Sequence, residues 1–136
     1  MKTILNATAA ALLALSLAAC SPSNMPPGDA TGGVVLRNLL AGSGIPGSKI
    51  LSFKKVDGRE LKNDKIDAYE LMYDAEVQFT EGFDAKCADE KQRGKCAFLG
   101  INDDRAFAKN EILRSEGTLH FVKSEKGWVA EDSKAY

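Results

Sequence analysis

Over residues 66–80 the chain reads IDAYELMYDAEVQFT, in which Tyr69, Leu71, Tyr73, Ala75, Val77 and Phe79 alternate with Ala68, Glu70, Met72, Asp74, Glu76 and Gln78. Successive side chains of a β-strand point to opposite faces, so this period of two predicts a long strand with an apolar face on a core and an acidic face in water. Such one-sided strands belong to antiparallel sheets, and the rest of the chain must supply the partners.

Three further segments do so. VVLRNLLAG (34–42) places Val35, Leu36, Leu39 and Leu40 at helical spacing, with Gly42 as a stop and Asp29 or Thr31 as a cap. After SGIPGS, the run ILSFKKV (50–56) predicts a strand closed by an Asp57-Gly58 turn. ILRSEGTLHFVKSEKGWVAED (112–132) predicts a hairpin turning at 124–127, with Leu119, Phe121 and Trp128 on its apolar face. The segment after Glu81 is irregular, CAFLGI reading as a short strand and DDRAFAKN as a turn or two of helix. The expected architecture is α+β: one short N-terminal helix packed on a four-stranded antiparallel meander.

The first twenty residues, MKTILNATAAALLALSLAAC, join Lys2 to a run of Ala and Leu that ends on a cysteine. The run is too short to span a bilayer as a mature helix, and a charge, an apolar core and small residues in this order describe a secretory signal. With Leu17, Ala18, Ala19 and Cys20, the segment resembles the signals of bacterial lipoproteins. The resemblance implies removal of residues 1–19, palmitate-type acyl chains on Cys20, and a membrane as partner through that lipid. Several chains make such an anchor persistent where one would not. In lipoproteins of the enterobacterial type, a residue other than Asp after the cysteine, here Ser21, implies the periplasmic side of the outer membrane rather than the inner membrane. Residues 20–33, CSPSNMPPGDATGG, have the composition of a tether. At roughly 3 Å per residue it would let a domain at 34–136 stand some tens of ångströms off the bilayer.

The stretch CADEKQRGKC runs from Cys87 to Cys96, and its own residues leave a metal clip, a redox pair and a covalent staple open. The compartment narrows the choice. In an exported chain whose third cysteine is lipidated, two thiols remain in a disulfide-permissive space. A structural zinc site wants four Cys or His ligands, and His120 is the only histidine. A redox pair more typically has two residues between its cysteines. A Cys87–Cys96 disulfide is therefore expected.

The 18 basic side chains, one of them Lys2 in the signal, face 19 acidic ones. That balance gives no basis for nucleic-acid binding. About a hundred residues remain for folding, enough for one domain with a single modest core.

The order of a helix followed by strands, with a hairpin last, resembles the cystatin-like and NTF2-like α+β families. The segments ILSFKKVDG, YELMYDAEVQF and KGWVAED are similar to the layout of small bacterial lipoproteins. These resemblances imply a curved sheet around a helix and say nothing about activity, because such folds host enzymes, inhibitors and binding modules alike.

His120 falls in the phase of Arg114, Glu116 and Thr118 and is expected on the wet face, as a solvated residue rather than a catalytic one. Glu70, Asp74 and Glu76 on that face read as solubility and edge protection. Tyr69 and Tyr73 point inward and, with Phe121 and Trp128, are the residues that would line a cavity if there is one. Asp67 shares the tyrosines' phase but sits at the strand's start, a poor place for the buried carboxylate of a ketosteroid-isomerase type site. No catalytic residue, metal site or cofactor is expected. Two functions follow: a non-catalytic binding module of the cell envelope, and, as the alternative, a small NTF2-like enzyme or ligand carrier with an aromatic-lined cavity.

Overall fold

The computed structural model describes residues 25–136; the signal segment and Cys20 lie outside them. In chain order the elements are α1 (Asp29–Gly42), β1 (Ser48–Lys62), β2 (Asp67–Phe79), β3 (Phe83–Ala85), α2 (Glu90–Leu99), β4 (Arg105–Phe107), β5 (Glu111–Ser124) and β6 (Gly127–Ala130). The chain is α+β. Its main sheet is antiparallel in the order β1-β2-β5-β6, with β3 and β4 forming a separate pair. The four long-sheet strands follow one another as a meander, interrupted once, between β2 and β5, by the excursion β3-α2-β4.

β2 is the spine. Tyr69, Leu71, Tyr73, Ala75, Val77 and Phe79 are all buried, while the residues between them are partly or fully exposed. Pairing with β1 on one side and β5 on the other continues both faces across the sheet, for instance along Arg59↔Glu70↔His120 and Gly58↔Leu71↔Leu119. Val35, Leu36 and Leu40 of α1 cover the apolar face, to which Leu119 and Phe121 of β5 and Trp128 of β6 also contribute. Burying one such large apolar side chain contributes about 1.5–3 kcal/mol.

Four expectations change. First, there are two helices. The residues between the cysteines form most of α2, capped by Asp89, whose carboxylate accepts from the Lys91 amide at 2.9 Å, and stopped by Gly100 in the left-handed region. Second, residues 105–107, read as helix, are a strand. Third, β1 runs through Asp57-Gly58 with an irregularity between Lys55 and Asp57, and the turn comes at residues 63–66. Gly58 serves close approach instead, because a Cβ there would collide with the Tyr69 hydroxyl.

Fourth, residues 25–33 belong to the fold. α1 starts at Asp29 with Gly28 as its N-cap, and the Asp29 carboxylate accepts from the Lys55 amide at 2.6 Å. Pro27 is buried, and the Met25 carbonyl accepts from the Trp128 indole at 3.0 Å. A composition rich in Pro and Gly describes a segment without a core of its own. It does not forbid a neighbour with an unsatisfied indole N–H from holding that segment down.

Candidate binding groove

The excursion places α2 beside α1 at the β5 edge, and backbone polar groups position it. Ser115 is buried and donates to the Leu99 carbonyl at 2.8 Å, and the Tyr73 hydroxyl donates to the Phe98 carbonyl. Gly117 makes room for this: a Cβ there would meet the Tyr73 hydroxyl at 2.6 Å and the Phe98 carbonyl at 2.9 Å. Burial raises the Tyr73 pKa, so the hydroxyl stays a donor to Phe98. The Cys87–Cys96 disulfide, with Cα atoms 5.6 Å apart, ties the approach to α2 to its second turn, and Cys96 is buried.

Between the two helices lies an open groove of about 610 Å³. Its walls are the last turns of α1, the face of α2 bearing Lys91, Gly94, Lys95 and Phe98, and residues 131–134. It continues into a recess of about 580 Å³ over Gly117, Thr118 and His120, sharing Leu39, Gly94, Phe98 and Glu131 with the first. Half-buried Leu39 and Phe98 give it an apolar strip. Gly94 sits in the interior of α2, where glycine costs about 0.5–1 kcal/mol relative to alanine, yet a Cβ there would meet nothing within 4 Å.

The acidic groups of the groove are engaged. Asn38 donates to the Asp132 carboxylate at 2.7 Å and to the Tyr136 hydroxyl at 3.1 Å, and Tyr136 itself donates to Asp132. Burial alone would raise the Asp132 pKa, but the hydrogen bonds from Tyr136, Asn38 and the Lys134 amide hold it below the usual carboxylate value. Burial and the neighbouring carboxylate push Tyr136 up to about 12. Ser133, at φ 63, takes a left-handed conformation uncommon outside glycine and turns residues 131–134 into the groove wall. Glu131 lies 3.0 Å from His120 Nδ1. By contrast, Lys91 and Lys95 form no ion pair with the described residues.

The residues singled out from sequence are distributed as follows. Cys20 lies outside the described residues. Cys87 and Cys96 are joined. Tyr69, Tyr73, Phe121 and Trp128 are buried in the core, Tyr73 stacked on Phe53 with ring centroids 5.0 Å apart and Tyr69 against Trp128 at 6.0 Å. Trp128 also borders a shallow depression with Met25 and Tyr136. His120 is exposed, with Nε2 3.6 Å from Glu70, which also accepts from Arg59 Nε at 3.0 Å. Asp67 is half-buried between Lys62 and Lys123. Among the described residues no three His, Cys, Asp or Glu side chains are grouped to hold a metal, and no helix is long and apolar enough to cross a membrane.

Sequence reasoning missed the groove because it missed α2. Asp89 and Gly100, a cap and a stop separated by one short helix, were the available signal. No family model, curated protein or solved structure matches this chain, so the groove is interpreted from its own geometry.

Proposed function

We propose that the chain is a lipid-anchored module of the bacterial envelope, with a cystatin-like arrangement of α1 on the sheet. In this reading it binds an extended segment of a partner protein in the groove between α1 and α2. The lipobox-like LAAC ending at Cys20 supports the anchor, and Ser21 after it supports the periplasmic side of the outer membrane. One observation carries the binding role: the apolar strip of Leu39 and Phe98 runs beside Gly94, a glycine in a helix interior where an alanine would fit, and beside Lys91 and Lys95, which form no ion pair with the described residues. An occupant with acidic and apolar side chains in alternation fits that strip and rim. Tyr69, Tyr73, Phe121 and Trp128 pack on one another and on the core, which favours the groove over an internal cavity as the binding site.

The test is a photo-crosslinking residue at Lys95 in the full chain in cells, with the same probe at exposed Lys109 as a control. A discrete protein adduct is expected from position 95 and not from 109, and Gly94→Leu should abolish it by filling the strip. Equal adducts from both positions, or an adduct indifferent to Gly94→Leu, would contradict the groove. The anchor is tested separately: Cys20→Ala should move the folded protein to the soluble fraction.

A further inference from the structure

The lipid and the first fixed point of the fold are close together in the chain. Met25 is held by the Trp128 indole, Pro27 is buried with its carbonyl accepting from Lys55 Nζ at 3.1 Å, and α1 follows at Asp29. From Cys20 to Met25 there are five residue steps. However they are arranged, they span at most about 18 Å, at 3.3–3.6 Å per residue. A domain of this size has a radius of gyration of about 13 Å, so it cannot turn freely on such a leash. One end must face the bilayer.

The register identifies that end. Trp128 pairs with Lys123, and Leu61↔Ala68↔Val122 run side by side, so the 63–66 and 125–126 turns project from the same end of the sheet. Lys62 and Lys123, from the two hairpins, both approach Asp67, at 4.0 and 3.9 Å. Here Leu61, Ile66 and Val122 are 39, 51 and 52 % exposed, and Lys65 and Lys126 stand on the turns beside Asp64 and Glu125. The first turn is braced: the Asn63 side chain accepts from the Lys65 and Ile66 amides, both at 2.9 Å. Exposed aliphatic side chains on rigid turns, among lysines and carboxylates in near balance, suit the interface of a bilayer.

We propose that, with Cys20 lipidated, this hairpin end rests on a phospholipid surface. It rests on the lipid-anchor reading above. The groove borders the last turns of α1, the opposite end of a helix about 21 Å long.

The experiment uses the mature, full-length protein in vesicles of phosphatidylethanolamine and brominated phosphatidylglycerol, with Ile66→Trp and, as a control, Ile112→Trp. Ile112 is exposed and lies ten residues along β5 from Val122, about 34 Å away. Fluorescence of the Ile66→Trp protein, corrected for buried Trp128, should be quenched several-fold more than that of Ile112→Trp. Intact mass reports the lipid independently. Lipid present with equal quenching, or with none, would overturn the orientation and leave the anchor standing. An unlipidated Cys20 on membrane-expressed protein would overturn both.

Discussion

β2 and the excursion at residues 80–110 are built on opposite terms. Every second side chain of β2 from Tyr69 to Phe79 is buried, and both of its edges are paired along their length. In α2 only Cys96 and Leu99 are buried, and what holds the helix is a cap, a stop, a disulfide and hydrogen bonds to its last carbonyls. The spine is thus fixed by apolar area distributed over many residues and α2 by a few local devices, while β3 and β4 join the spine's core through Phe83 and Phe107, whose rings lie 5.3 and 4.8 Å from that of Phe79. The groove lies on the seam between them, with one wall from each kind of structure.

Five perturbations test that contrast. The largest effect is expected at the spine: Leu71→Ala should destabilise the domain by about 2–5 kcal/mol through lost burial and a cavity. Its neighbour Glu70, on the outer face and paired with Arg59, should lose less than about 1 kcal/mol as Glu70→Ala. Comparable denaturant midpoints for the two variants would break the one-sided reading of β2. Next, Cys87→Ser with Cys96→Ser should cost about 2.5–3 kcal/mol by chain entropy for a loop this short. That loss should appear as proteolytic cleavage within residues 83–107, not as a collapse of the sheet.

Gly94→Ala should move the other way, stabilising α2 by about 0.5–1 kcal/mol, since the added methyl meets open space. A lower melting temperature would mean that the groove wall is tighter than described. The smallest effect concerns pH. Tyr136 ionises only near pH 12 in the folded state, against about 10 when unfolded. Its contribution is therefore complete below pH 10 and lost as pH rises from about 10 to about 12, as the unfolded chain ionises first. Tyr136→Phe should flatten that part of the alkaline decline in melting temperature; an unchanged decline would remove Tyr136 from the account.

The same contrast explains what could be read from sequence. The β2 alternation, the closing hairpin and the buried phase of Leu119, Phe121 and Trp128 were legible because a period of two in hydrophobicity is what a half-buried strand requires. His120 on the wet face followed from the same phase. α2 was not legible, because ADEKQRGK carries no apolar period and its helicity depends on its ends. Gly58 misled because an Asp-Gly pair signals a turn locally, whereas its role here is set by Tyr69 across the sheet. Residues 25–33 misled in the same way: their partner, Trp128, lies about a hundred residues on. Of the groove, only the α1 side was visible, as the helical spacing of Leu39 and its neighbours.

One chain thus holds two parts of unequal dependence on the disulfide, the sheet with α1 and the stapled helix α2. Native-state hydrogen exchange with and without reductant tests it most directly. On reduction, amides of β2 and β5 should keep their slow exchange while those of α2 lose protection. Equal loss across β2, β5 and α2 would contradict the account, because it would make the disulfide part of the spine.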